Sequence, residues 1–363
     1  MSESEQQSGG GKNQPLKAPR GTRDVISPEV ERWQDVERSA HDTFRRYGFR
    51  EMRTPVFEDS AVFEKGTIET LQSAQKEMYR FVDLGGHELT LRPEGTPPVI
   101  RAYVEHNLGQ GKDLARFYYI GPMFRYERPQ RGRYRQFHQF GVEALGWPGP
   151  DVDAEIIILG TRLWRRLELA DIKLEINSLG SLASRVRYLE DLRAFLEIHR
   201  DELDESSRHR LTTNPLRILD SKDSGTQALL DDGPDLASYL NDEDRRHFDC
   251  LLEHLERTGV EYRRNSRLVR GLDYYVRTTF EFTSEALDAA QDAIGGGGRY
   301  DGLVAQLGGR DVLACGFAIG VERLVLMLDS LEKVPQDAMQ PIDVYVTCIG
   351  PVSYTHLRAH ETR

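Results

Sequence analysis

Apolar positions along the chain alternate between two spacings, and the changeovers mark out the elements. Ser27-Pro28 is a helix-start signal, a capping residue followed by proline at the first helical position. The spacing then predicts a helix from Glu29 to about Tyr47, ended by Gly48. RTPVFE (53–58) reads as a short strand whose Pro55 places it at an edge or on a bulge. MYRFVD (78–83) and HELTLRP (87–93), separated by Gly85-Gly86, form a predicted hairpin. A helix follows from about Thr96 to His106. FYYIGPMFRYE (117–127) and RQFHQFGVEAL (135–145) are predicted strands joined by RPQRGRY.

Residues 151–170 have helical spacing, and IKLEINSLG (172–180) is strand-like. From about 181 to 262 the chain is highly charged and helical in period, which reads as an inserted helical module. Strands return at 266–284. GGGGRYDGL (295–303), the strand-like ACGFAIG (314–320) and the helix VERLVLMLDSL (321–331) complete the core. PQDAMQP (335–341) reads as a linker, and IDVYVTCIG (342–350) as a further strand. Repeated antiparallel hairpins with flanking helices predict an α+β fold rather than a doubly wound parallel sheet.

The chain has 363 residues and a formal net charge of −11. No apolar run reaches the ~18 residues of a membrane span. Residues 1–18 are polar and Gly-rich and read as a disordered tail. Three cysteines (Cys250, Cys315, Cys348) lie far apart, which gives no metal knuckle and no disulfide framework, and fits a reducing cytoplasm. The acidic balance excludes a general nucleic-acid coat protein, so an RNA partner would need a local basic surface. FRYERPQRGRYRQFHQFG (124–141) supplies one, with Arg125, Arg128, Arg131, Arg133 and Arg135.

Strand alternation sorts that hairpin into faces. Arg135, Phe137, Gln139, Gly141 and Glu143 share one, with Tyr119, Gly121, Met123, Arg125 and Glu127 lining up on the neighbouring strand. This is either a binding floor with a glycine gap for a ligand or the solvated side of a one-sided sheet. His138 falls on the apolar-backed face, as a satisfied core residue. In LVRGLDYYVRTTFE (268–281), Arg270 and Tyr274 alternate to one side and Tyr275 to the other. Both tyrosines can reach one ligand only if Gly271 or a bulge breaks the alternation; otherwise they pack. In GFAIGVERLVLML (316–328), Arg323 stands in a helix's first turn, where a cation implies either a nearby anion or a frayed, solvated terminus. GGGGRYDGL is no phosphate loop; its glycines suit a bend or close packing.

These stretches together resemble the class II aminoacyl-tRNA synthetases, and within them the histidyl-tRNA synthetase family, from about Pro19 to Pro341. PRGTRDV (19–25) resembles the family's opening, REMRTPVFED (50–59) motif 1, LRPEGT (91–96) the amino-acid-binding loop, and GPMFRYERPQRGRYRQFHQFGVEALG motif 2. LVRGLDYYVRTTFE resembles the histidine-specific signature, GFAIGVERLVLML motif 3, and NPLRILDSKD (214–223) the insertion module.

The resemblance implies that histidine and ATP form histidyl-adenylate, and that the histidyl group passes to tRNA(His). It implies catalytic roles for Arg125, Arg270 and Arg323 on the triphosphate, with Glu127 and Arg133 also at ATP and Mg2+ accompanying it. Histidine would be bound by Glu94, Gly95, Thr96 and Gln139, by Glu143 and Tyr275 at the imidazole, and by Tyr274 and Tyr300 as walls. It also implies a cytoplasmic homodimer without membrane contact, in which the hairpin loop 128–134 meets ATP and the tRNA end. The implied organisation is a catalytic domain at 19–335, carrying the helical module at 181–262, and a truncated start of an anticodon-binding domain at 341–363. The tail PVSYTHLRAHETR departs from the family, and FEKGTIETLQSAQKEMY (63–79) follows it only loosely. The alternative is a non-catalytic regulatory subunit of ATP phosphoribosyltransferase, a paralogue that also lacks the anticodon domain.

Overall fold

The computed structural model describes residues 15–65, 77–109, 114–269, 274–287 and 292–331. Residues 1–14, Arg270, the 335–341 linker and the 342–350 strand predicted from sequence lie outside them.

In chain order the elements are α1 (Glu29–Arg46), β1 (Arg50–Glu51), β2 (Phe57–Asp59), α2 (Ala61–Lys65), β3 (Arg80–Val82), β4 (Glu88–Leu91) and α3 (Thr96–Glu105). Then come β5 (Ala115–Phe124), β6 (Gln136–Leu145), α4 (Pro150–Arg166) and β7 (Ile172–Ser178). A helical stretch follows, with α5 (Leu182–Ile198), α6 (Glu205–Thr213), α7 (Ser224–Asp231), α8 (Leu236–Tyr239) and α9 (Asp242–Arg257). The chain closes with β8 (Arg263–Arg264), β9 (Val276–Ser284), β10 (Ala293–Arg299), α10 (Leu303–Gln306), β11 (Ala314–Gly320) and α11 (Val321–Ser330).

Eight strands form the main sheet in the order β1-β5-β6-β11-β10-β9-β7-β8. Only β1 with β5 and β7 with β8 pair in parallel. A second, antiparallel sheet has the order β2-β4-β3. The α+β architecture expected from the hairpin pattern is therefore present. The helical texture of 181–262 is present as well, but its two ends pack differently. Leu251, Leu252 and Leu255 of α9 join the core beneath the main sheet, whereas Tyr188, Leu192 and Leu196 of α5 pack on the other side with Tyr274, Tyr275 and Tyr300.

Some boundaries differ from expectation for physical reasons. Residues 53–56 are not strand; Thr54 and Pro55 turn their carbonyls to the Arg92 guanidinium, at 3.0 and 3.3 Å, so the chain leaves one sheet and enters the other on either side of them. Pro28, not Ser27, occupies the cap position of α1, with no side-chain capping bond. The glycine run is strand rather than bend: Gly295–Gly298 form the middle of β10, paired on both edges. A Cβ on Gly297 would stand 2.0 Å from the Gly316 carbonyl oxygen, so its lack of a side chain allows the close approach of β11.

The face of the main sheet toward α1, α4, α9 and α11 is the apolar core, with Val142, Phe280, Phe282 and Phe317 buried in it. Within it lies one charged knot. Arg299 is fully buried; its Nη2 donates to Asp153 Oδ1 at 2.6 Å and to the Gly149 carbonyl at 2.8 Å. Asp153 Oδ2 also accepts from Thr278 at 2.6 Å and pairs with His247 Nε2 at 2.8 Å. Burial alone would raise the Asp153 carboxyl, but the Arg299 charge and the His247 hydrogen bond hold it well below the usual carboxylate range. The knot joins α4, α9, β9 and β10 at one point. Breaking one partner leaves an uncompensated charge in the core, so Arg299→Met should cost about 3–5 kcal/mol of stability. Adding Asp153→Asn should return part of that loss, read as urea midpoints of the two variants.

Candidate active site

Register across four strands builds a floor of small residues on the opposite face. Glu143, Gly316, Gly298 and Thr279 stand side by side on β6, β11, β10 and β9. In the next row are Gly141, Ala318, Gly296 and Glu281, and beyond them Gln139 and Gly320. The missing side chains leave room for polar groups above the sheet.

Glu143 is fully buried in that room. Its Oε2 would lie 2.1 Å from a Cβ on Gly316, so the carboxylate lies directly over that glycine. One oxygen accepts from the Thr96 hydroxyl at 2.7 Å, and the other from the Tyr300 hydroxyl. Burial pushes the Glu143 carboxyl up to about 8, against the pull of those two hydroxyls and helped by the charge of Glu94. Glu94 accepts from the Tyr274 hydroxyl at 2.9 Å. Burial raises its carboxyl too, and the Arg125 charge offsets this only in part.

Three aromatic rings wall one end. Tyr274 lies 4.9 Å from Tyr275 and 5.6 Å from Tyr300, centroid to centroid. Tyr275 sits over the floor, its ring 3.0 Å from where a Gly298 Cβ would be. Tyr274 and Tyr275 precede β9, so strand alternation does not separate them; Gly271 lies outside the described residues, and a later irregularity falls at Arg277, whose φ is +51°, where the pairing slips from Thr279–Gly298 to Val276–Arg299.

The LRPEGT loop supplies the facing wall, and each of its residues takes a different task. Arg92 bonds the carbonyls of Thr54 and Pro122. The Pro93 carbonyl receives Arg125 Nε at 2.9 Å. Glu94 receives Tyr274, Gly95 lies under the Tyr119 ring, and Thr96 begins α3 while bonding Glu143. The Thr96 hydroxyl and the Tyr300 hydroxyl thus both meet Glu143.

The glycine gap predicted as a ligand approach is filled. The Tyr119 ring occupies the space above Gly141, and Arg92 the space above Gly121. Sequence reasoning placed Tyr119 on this face but gave it no task, and it passed over Arg92; the notches at Gly95, Gly141 and Gly121 were the signal for both.

At the far end of the floor Arg125 lies 5.1 Å over the Phe137 ring. Arg323 reaches the same end from α11, its stem 3.9 Å from where a Gly320 Cβ would point and 3.8 Å from that of Gly132 in the hairpin loop. It also donates to the Ala293 carbonyl and helps line an open groove with Arg131, Leu287 and Leu326. Glu322, beside it, accepts the His138 backbone N–H at 2.9 Å and lies 3.1 Å from the His138 ring nitrogen, so His138 is satisfied, by a carboxylate. Glu127 pairs with Arg133 and stands 4.0 Å from Arg125. Arg128, Arg131 and Arg133 are exposed, whereas Arg135 is tucked against Tyr126, its guanidinium 3.9 Å from the ring. Among the described residues no group of three or more His, Cys, Asp or Glu side chains could hold a metal, and no helix is long and apolar enough to cross a membrane.

A helix-flanked, largely antiparallel sheet with this floor is the fold of a class II aminoacyl-tRNA synthetase. The model of the family described as Histidyl-tRNA synthetase matches residues 21–324. The chain belongs to the histidyl-tRNA synthetase family. It is 35% identical to the apo histidyl-tRNA synthetase of S. aureus, with a TM-score of 0.78, covering 95% of this chain and 82% of that one. Two other solved structures share the fold at 22% identity. One is an ATP phosphoribosyltransferase regulatory subunit/histidyl-tRNA synthetase from Bacillus halodurans C, with a TM-score of 0.66 over 87% of this chain and 84% of that one. The other is a histidine–tRNA ligase subunit from Alicyclobacillus acidocaldarius, with a TM-score of 0.64 over 88% and 99%.

The raised Glu143 carboxyl has a consequence for stability. Folded, it keeps its proton up to about pH 8; unfolded, it loses it near the ordinary glutamate value of ~4.3. Rising pH between those values therefore favours unfolding. Glu143→Gln removes the effect, so its stability relative to the parent should climb between roughly pH 5 and 8 and then level off. Urea midpoints for both proteins across that range would show it; parallel curves would contradict it.

Proposed function

We propose that this chain is a histidine–tRNA ligase: it joins histidine to ATP as histidyl-adenylate and transfers the histidyl group to tRNA(His). The observation that carries the reading is one continuous floor with two differently equipped ends. Glu143, Tyr275 and Tyr300 offer hydrogen-bonding groups within aromatic walls at one end, which suits an imidazole ring. Arg125 and Arg323 stand toward the other, Arg125 on β5's side of it and Arg323 on α11's, which suits a triphosphate.

The chemistry follows from that division. The histidine carboxylate attacks the α-phosphorus of ATP, a bond forms between its oxygen and that phosphorus, and pyrophosphate leaves. Two anions must meet, so the site has to supply positive charge that holds still. Arg125, fixed through Nε to the Pro93 carbonyl, keeps its terminal nitrogens for phosphate oxygens. Arg323 is assigned the γ-phosphate and Arg270, outside the described residues, the far side of the α-phosphate. Glu127, beside Arg125 and Arg133, holds those guanidiniums in place. Mg2+ would accompany ATP and screen its phosphates. In the second step a terminal ribose hydroxyl of the tRNA attacks the acyl carbon, and AMP leaves.

Arg128 and Arg131 make no ion pair among the described residues, which suits a loop that meets RNA backbone and unpaired bases. Phe57, Phe81 and Val82 are exposed on the small sheet, which supports a second copy docking there. The reading places the protein in the cytoplasm, with 19–335 as its catalytic domain.

ATP–pyrophosphate exchange dependent on histidine tests the proposal. The parent should exchange, and Arg270→Ala should lower the rate roughly 100-fold or more with a smaller effect on ATP affinity. No exchange in the parent, together with binding to an ATP phosphoribosyltransferase, would favour the regulatory-subunit reading. In the same assay Glu143→Ala should lose discrimination between histidine and analogues altered in the ring, because a buried polar partner rejects ligands that leave it unpaired.

A further inference from the structure

We infer that Arg185 is a positioning residue for the histidine end of the floor: from the helical module it holds the Tyr275 backbone, and with it the Tyr275 ring, in place. The inference deepens the histidine-activating reading and rests on it.

Arg185, Tyr188, Leu192 and Leu196 follow one another at helical spacing on the buried side of α5. That spacing asks for an apolar residue at each position, yet the first is an arginine, only 8% exposed. A guanidinium so far from water is costly unless its N–H groups find acceptors. Arg185 Nη2 donates to the backbone carbonyl of Tyr275, the residue just before β9. The other three residues of the series share one core with Tyr274, Tyr275 and Tyr300. The aromatic walls of the site therefore rest on α5 as well as on the main sheet.

The start of α5 is itself anchored. Ser181 caps it, accepting from the Ser184 amide. Asp244 of α9 accepts from the Ser181 amide at 2.9 Å and from the Ser184 hydroxyl at 2.8 Å. Arg277 Nε lies 3.3 Å from the same carboxylate, and the Arg277 amide donates to the Gly180 carbonyl at 2.8 Å. Arg185 stands one turn beyond that junction on the helix, and Tyr275 two residues before it on the strand. Their bond closes the loop between the two. With the Tyr275 ring 3.0 Å from where a Gly298 Cβ would be, its backbone decides where its hydroxyl meets a ligand. Hydrogen bonds weaken steeply when bent, so a small backbone shift is enough to weaken the grip on the imidazole.

Histidine-dependent ATP–pyrophosphate exchange in a double-variant cycle tests the inference. Arg185→Met should raise the KM for histidine roughly 10-fold, the range for one hydrogen bond to a charged group, and leave the KM for ATP as in the parent. In a Tyr275→Phe background, where the positioned hydroxyl is gone, the same substitution should raise it by about 2-fold or less. If Arg185→Met shows no cooperative urea transition, Arg185→Lys takes its place in the cycle under the same requirement of non-additivity. An unchanged KM for histidine, equal rises for histidine and ATP, or the same factor in both backgrounds would overturn the inference while leaving the ligase reading intact. A parent without histidine-dependent exchange overturns both.

Discussion

A carboxyl group taken wholly out of water sets the terms for this site. Glu143 has no exposed surface and is held by two hydroxyls from distant parts of the chain. An acid in that position needs space above the sheet, which Gly316 provides, and donors at fixed height, which Thr96 and Tyr300 provide. Those needs in turn determine where α3 begins and where β10 ends. The rows of glycine on the central strands follow from the same demand, since any larger residue there would displace either a neighbouring strand or the polar layer.

Much of this was legible in the chain, and the part that was not has a common cause. Alternation along 117–127 and 135–145 correctly put Tyr119, Gln139, Gly141 and Glu143 on one face, because strand periodicity is local. It could not say what fills a notch. A missing side chain reads the same whether a ligand or a tyrosine from the next strand occupies the space. The run 295–298 was read as a bend or close packing, and close packing was the better half of that reading; glycine is a poor strand former alone, but strands on both sides impose the conformation. Arg299 and Asp153 gave no signal, since they are separated by 146 positions and pair only through the assembled sheet.

The basic hairpin illustrates how one composition feature serves different ends. Arg125 and Arg135 are drawn back against Phe137 and Tyr126, and Arg23 from the N-terminal segment lies 5.0 Å over Tyr134, bracing the hairpin from below. The Arg135 amide also donates to the Gly21 carbonyl at 2.7 Å. Arg128, Arg131 and Arg133 face outward from that braced base. In a chain of net charge −11, the hairpin is a local basic surface on a braced base.

The loop from Arg92 to Thr96 works like an axle. Arg92 clamps the segment between the two sheets, and the next peptide carbonyl holds Arg125. The small sheet therefore cannot slide against the large one without tearing the Arg92 clamp or dragging the Arg125 guanidinium along. Any load applied at the exposed rim of Phe57 and Phe81 has a route only a few bonds long into the phosphate end of the floor.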